Sequence, residues 1–549
     1  MKKFLLILNS VVSAVSVVAF KLQSNNGYSQ IIYTTPQTFN NPAQAAAVVN
    51  PLGIQVNPGA GQIIIATTSG TYTFGNNPLQ PILLNVYNTN GTLRINNTAP
   101  DVTLTNNIIV LSSSSAFMQG GSTTLTYTGV LSGSGPFEKR GNGVMDLTNA
   151  NTYSGNFTVQ NGSLRLSNVN ALQNAASLTA LAGTTIELNV AGNTNWNFGG
   201  NIILNGGTLR QISGGETDIA NISNTIQLNG SGTLNAPGDS RMYIHGDITG
   251  TGNLIKAGGG ELRFTGTPKT YSGVTNINNG RLRIDDTGIP INTTAFNLNG
   301  GNLRFGQKKF RTYSLGAGGS APINIIGTGG SIEYTDDFGE GARLTNPVNV
   351  TGTGNLRSRA AGSVFEFTGP LTGNGTLNIN QGSSSHPLQL GTIYLKGNAS
   401  AFSGNVNVVQ STLRLGANTT LGANNFTLQS PATLEIDILS PSQHGKVNVT
   451  GNVVLNSGSK IKPTYLSALP KGKFSIPVIS GTVTNNGVSV VKNLLIKHEL
   501  QILPNKSFSA GMLITLARQF CLTTPSVQSV AISTSVDNLP ILMRFVCVR

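Results

Sequence analysis

Tyr271–Ile284 reads YSGVTNINNGRLRI, and the same pattern returns at Tyr153–Leu166, YSGNFTVQNGSLRL, and at Phe402–Leu415, FSGNVNVVQSTLRL. Each copy runs from an aromatic residue (Tyr153, Tyr271, Phe402) through Ser-Gly (Gly155, Gly273, Gly404) into an alternating stretch. A corner of small residues follows, and then Leu-Arg-Leu or Leu-Arg-Ile, opened by Leu164, Leu282 and Leu413. Apolar residues recur at every second position, as at Phe157 and Val159, then Leu164 and Leu166. Side chains alternate between the two faces of a strand, so each short strand is built to bury one face. Gly162 and Gly280, each after an Asn, supply the positive φ of a sharp corner. One such unit cannot bury its own apolar face. A chain that restates it reads as a solenoid whose rungs cover one another.

A lead-in precedes each copy: Leu131–Phe137 is LSGSGPF, Ile248–Leu254 is ITGTGNL and Leu371–Leu377 is LTGNGTL, with a further VTGTGNL at Val350–Leu356. The longest unbroken unit spans Ile248–Ile284. It resembles the passenger-associated repeat of bacterial autotransporters, secreted surface proteins that carry their own outer-membrane pore, and is similar to surface antigens of rickettsial type. The resemblance implies an all-β, right-handed parallel β-helix. It also implies a structural role, as an adhesin-like stalk or antigen at the cell surface, outer membrane or extracellular space.

Composition agrees with many short strands. Only 10% of the 549 residues are charged and 67 are Gly, against about 25% charged in ordinary globular chains. Residues 1–20, with Lys2 and Lys3 before a mostly apolar run to Phe20, have the layout of a signal peptide. No other stretch is long and apolar enough for a membrane-spanning helix. Residues 21–60, rich in Pro, Asn, Gln and Ala, predict an irregular cap, with one or two helical turns in AQAAAVV. Residues 61–440 predict the β-helix, with Leu262, Leu282 and Leu303 about one rung apart. At about 20 residues per rung this gives roughly 18–20 rungs. Trp196 alternates with Phe198 and reads as core.

Residues 441–491 change texture and look like the junction that closes autotransporter passengers, sometimes as an autochaperone; they predict last rungs or a small β-sandwich-like cap. In residues 492–549 the alternation stops. This stretch holds one Gly of the 67, Gly511, and both cysteines, Cys521 and Cys547. It reads as an atypical tail, such as a frameshift would leave, in place of the translocator barrel that the resemblance implies and that this chain does not contain. As a short genuine domain, ELQILPN and AGMLITLARQF would make a strand and a helix.

Residues able to do chemistry are scarce. The four histidines, His245, His386, His444 and His498, have no metal-ligand spacing. Gly238-Asp239-Ser240 has no histidine before it, which excludes the His-Asp-Ser order of one serine-protease class; it reads as a turn. Glu333, Asp336, Asp337 and Glu340 make an acidic loop with Lys308, Lys309 and Arg311 nearby to pair with it. No catalytic, cofactor or metal site follows from the sequence, and no nucleic-acid partner. Arginine follows leucine at Arg94, Arg165, Arg210, Arg263, Arg283, Arg304 and Arg414, always between inward positions. Setting aside the leader and the tail leaves 26 basic and 18 acidic residues, a net charge of +8. Arg263, Arg283 and Arg304 are expected to stack on one outer face, held there by nearby acids or by an anionic partner such as an acidic glycan or lipopolysaccharide. Two alternatives stand beside the adhesin-like reading. One is a polysaccharide-cleaving β-helix enzyme, for which Asp285 and Asp286 with Arg281 and Arg283 are the nearest cluster. The other is an exoprotein exported by a separate pore, although residues 21–130 match no secretion domain.

Overall fold

The computed structural model describes residues 101–110, 115–119, 124–189, 191–306, 310–335, 340–359, 362–380, 391–469 and 473–491, with the backbone of short elements between Ile31 and Ile95 and of three strands after residue 498. Residues 1–20, Lys308, Lys309, Asp336, Asp337, His386, His498, Cys521 and Cys547 lie outside the described residues. The protein is a parallel β-solenoid of about 14 turns. Its chain divides into two compact units, one running to Ile186 and including Phe198–Gly200, the other comprising Glu187–Asn197 and the chain from Asn201 onward.

In the first unit, parallel strands stack rung on rung. One ladder joins Ile31–Tyr33, Ile54–Val56, Ile82–Leu84, Ile108–Val110 and Leu131–Gly133. Another climbs from Pro36–Phe39 and Gln62–Ile65 to Phe137–Arg140, Asn156–Val159 and Ser177–Leu181. Parallel pairing therefore begins inside residues 21–60, and the helix there is the five-residue Pro42–Ala46. Phe137, Tyr153 and Phe157 fill the interior, with Phe137 and Phe157 ring centroids 5.1 Å apart.

The second unit repeats this with three faces. One carries Thr208–Gln211, Gly232–Asn235, Leu254–Ala257, Thr275–Ile277 and Phe296–Leu298. A second carries Ile219–Ile222, Arg241–Ile244, Glu261–Phe264, Arg281–Ile284, Asn302–Phe305, Thr328–Tyr334 and Thr353–Ser358. On the third lie Arg311–Tyr313, Gly341–Leu344, Val364–Phe367, Thr392–Leu395, Thr412–Leu415, Thr433–Ile438 and Lys460–Tyr465. Like stacks on like: Leu262, Leu282 and Leu303 are in register and fully buried. Each such side chain contributes about 1.5–3 kcal/mol relative to exposure. Leu164 sits opposite Met145 in the first unit, and Leu413 opposite Ile393 and Leu434 in the second. Trp196 and Phe198 are core, 3% and 5% exposed.

Rungs are fewer than the 18–20 expected because many are longer than the short step that the leucine spacing suggests. Arg263 faces Arg283 across such a short step, but Leu303 faces Ile332 and Leu377 faces Val406, both much further along the chain. Between Leu303 and Ile332 the longer rung includes the strand Arg311–Tyr313, where the short rung from Leu262 to Leu282 has a single bridge at Lys269. The ladder also crosses residue 440 in register, from Thr433–Ile438 to Lys460–Tyr465, so residues 446–490 add parallel rungs. In the tail, Gly511–Ala517 of AGMLITLARQF is a strand, antiparallel to Lys473–Asn485, and not a helix.

The repeat's glycines have two different causes. Gly162 and Gly280 have φ of 66° and 62°, as the corner requires, and the third copy holds the same conformation with Ser411, φ 56°. Gly273 has an ordinary φ; its demand is spatial. A Cβ there would stand 2.1 Å from the carbonyl oxygen of Gly252, the lead-in glycine of the preceding rung. Gly155 meets Gly135, and Gly404 meets Gly375, in the same way. Lead-in and Ser-Gly are thus two sides of one contact between successive rungs. Tyr153 donates its hydroxyl to the carbonyls of Gly135 and Asn156, Tyr271 pairs with the Thr275 hydroxyl, and Phe402 is buried.

Candidate functional site: an arginine-rich outer face

On the second face of the second unit, Met242, Ile244, Leu262, Phe264, Leu282 and Ile284 point inward and are fully buried. The residues between them face out and, by register, form columns at about 4.8 Å steps. One column is Tyr243, Arg263, Arg283, Arg304, Glu333 and Arg357. The column two residues earlier is Arg241, Glu261, Arg281, Asn302, Ser331 and Asn355. Arg263, Arg283 and Arg304 therefore occupy adjacent strands on one outer face.

Acids hold them there. Asp285 takes a fork from Arg263 (both contacts 2.7 Å) and Arg283 Nε at 3.2 Å. Glu333 takes Arg304 at 3.0 Å, Arg357 at 2.8 Å, the Ser331 hydroxyl at 2.7 Å and, more distantly, Arg359 at 3.6 Å. Glu261 lies 3.7 Å from Arg281 and 3.8 Å from Arg304. Burial alone would raise the Glu333 carboxyl, but Arg304, Arg357 and Arg359 with the Ser331 hydroxyl bring it down to about 2. Glu333, read from the sequence as part of an acidic loop, is thus committed to three arginines and 1% exposed. Arg311 pairs with Asp286, and Glu340 accepts from the Phe310 amide.

The pairing is incomplete. Six guanidinium groups (Arg263, Arg281, Arg283, Arg304, Arg357, Arg359) share three carboxylates, Glu261, Asp285 and Glu333. Nε of Arg281 and Nε of Arg357 are buried and make no hydrogen bond. Burial first, then the nearby Arg304, pulls Arg281 below its ordinary value. Arg359 is lowered likewise by burial and by Arg304, Arg281 and Arg357, against Glu333. His245 is held below its usual value by burial, Lys269 and Arg263.

Three lysines that the alternating pattern does not single out are buried. Lys139 sends Nζ to the carbonyls of Gly141, Gly143 and Asn161, Lys256 to those of Ala257, Gly258 and Asn279, and Lys269 to those of Gly246, Thr265 and Thr267. Lys139 and Lys256 take the same place in FEKRGNG and LIKAGGG, a Lys just before a glycine corner. Ser240, in turn, closes the expected turn, donating its hydroxyl to Pro237 O at 2.7 Å. Among the described residues, no cluster of His, Cys, Asp or Glu is suited to a metal ion, and no helix is long and apolar enough to cross a membrane.

These features define a class: a parallel β-solenoid carrying passenger-associated transport repeats, whose family model matches residues 137–166 and 254–284, two of the three copies. The chain is also 34% identical over 228 residues to the adhesin BmaC autotransporter of Brucella suis. That match covers 38% of this chain and 6% of the adhesin, so the chain spans a small fraction of the relative's length.

Proposed function

We propose that the chain is the passenger of an autotransporter-type adhesin: a non-enzymatic stalk, exported and displayed at the cell surface or released outside it by a separate outer-membrane translocator. One observation carries this reading, the passenger-associated repeats placed in register on stacked parallel rungs. Similarity to an adhesin supports it. The non-enzymatic part rests on the acids: Asp285 and Asp286, the nearest approach to a catalytic cluster, are engaged by Arg263, Arg283 and Arg311. Without a translocator the chain stays in the periplasm.

The test joins the chain to an intact translocator barrel in a heterologous Gram-negative host. Surface proteolysis should release the passenger, and the cells should adhere to host monolayers above the level of cells displaying the barrel alone. Adherence equal to the barrel control overturns the adhesin reading. Release of unsaturated or reducing sugar ends from polyuronides overturns the non-enzymatic one.

A further inference from the structure

We propose that the arginine-rich face binds the anionic groups of an acidic polysaccharide, with Arg281, Arg304, Arg357 and Arg359 as the centre of the site. The inference rests on the reading of the chain as a displayed passenger for where the ligand is met; the binding itself is a property of the face.

Three observations carry it. At the centre of the face six guanidinium groups share three carboxylates, and Nε of Arg281, 3.7 Å from Glu261, and Nε of Arg357 make no hydrogen bond. An oxyanion docking on these guanidinium groups adds acceptors that the three carboxylates do not supply. Excess charge is also not general to the outer faces of this unit. On the third face, in register, stand Arg343, Glu366, Tyr394, Arg414, Glu435 and Lys462, where acids and bases are interleaved. Finally, the shape suits a chain-like ligand. The side chains of Arg304, Arg357 and Arg359 are 10%, 16% and 18% exposed, so they sit recessed between neighbours, and arginines recur at strand spacing beside them. A polymer bearing sulfate or carboxylate groups at intervals can lie along such a strip, and the planar guanidinium fork matches either anion. A lipid surface would instead need charges standing clear of the fold.

The test uses the full-length protein and five probes: dextran sulfate, polygalacturonate, neutral dextran, phosphatidylglycerol–phosphatidylcholine vesicles and duplex DNA, at physiological ionic strength. Dextran sulfate, polygalacturonate or both should bind, the two arms separating sulfate from carboxylate, and neutral dextran should not. R281Q/R357Q should weaken binding tenfold or more; each acid it touches keeps another arginine. R343Q/K462Q, which removes the same charge from the third face, should change binding by less than twofold. Should R281Q/R357Q fail to fold, R281K/R357K, which keeps charge without the fork, must lose at least threefold. No binding to either acidic polymer, equal or tighter binding to vesicles or DNA, equal loss in the two glutamine variants, or full binding by the lysine pair overturns the proposal. None of these outcomes depends on adherence of cells, so the site can fail while the adhesin reading stands, and the reverse.

Discussion

Two outward columns of the second unit are built on the same inward pattern and differ in how their charges are ordered. Tyr243, Arg263, Arg283, Arg304, Glu333 and Arg357 place three arginines in a row before the first acid. Arg343, Glu366, Tyr394, Arg414, Glu435 and Lys462 interleave the signs. Arg343 and Lys396 share Glu366, and Arg414 lies at 2.8 Å from Asp437, whose other oxygen accepts from the Tyr394 hydroxyl. In the first column a buried acid, Glu333, is ringed by arginines; beside the second, two residues along from Glu435, the buried Asp437 pairs with a single arginine. Packing of the rungs fixes which positions face out. It does not fix the order of charges there, and that order is where the two faces differ.

The largest effect expected from breaking this contrast is at Glu333. E333Q leaves Arg304, Arg357 and Arg359 half-buried around a neutral amide, and should cost about 3–5 kcal/mol, read from the urea midpoint and from local hydrogen exchange at Thr328–Tyr334. E366Q, whose partners Arg343 and Lys396 are 38% and 36% exposed, should cost about 1 kcal/mol or less. Next comes R414Q, expected to cost about 3 kcal/mol because it strands the fully buried Asp437; a loss near zero would show that Tyr394 alone suffices. Acid should sharpen the contrast. The Glu333 carboxyl is depressed to about 2, so its contribution is present above the ordinary value of 4.5 and lost as pH falls through about 2. The difference between wild type and E333Q should be flat above about pH 5 and shrink steadily below it. R283Q is the smallest, within about 0.5 kcal/mol, since Arg263 keeps Asp285 and a like-charged neighbour is removed.

Much of this could be read before any coordinates. Leu-Arg-Phe at Arg263 and Arg304 and Leu-Arg-Ile at Arg283 indicate strand, face and the adjacency of the three, because the steps between them are short and nearly equal. The next step, from Arg304 to Glu333, is much longer and takes in the strands Arg311–Tyr313 and Ile323–Ile325, so no periodicity places those two side by side. The acid that completes the site therefore read as part of an acidic loop paired with Lys308, Lys309 and Arg311. The glycine of Ser-Gly was visible as a motif, but its reason, a carbonyl of the preceding rung within 2.1 Å of where a Cβ would stand at Gly273, needs the register. Lys139 and Lys256 were missed because charge was taken to mean outward, whereas alternation from Phe137 and Leu254 puts both on the inward face, where Nζ turns to the carbonyls of its own corner.

Those lysines have a consequence for the conditions under which the rungs hold together. A ring of backbone carbonyls at a turn is the kind of cradle that elsewhere collects a dissolved cation; at these corners an ammonium from the chain itself occupies it. Chelators should therefore leave the melting temperature unchanged, and a fall on adding EDTA would show an ion at work. Acidity is felt instead. Burial lowers Lys256 to about 7, and Lys139 and Lys269 to about 8, from 10.5 in the open chain. Between those values the unfolded chain binds more protons, so stability should rise as pH climbs from about 7 toward 10 and the slope should shrink in K256M. The fold is thereby made indifferent to calcium at these turns and answerable to the hydrogen ion.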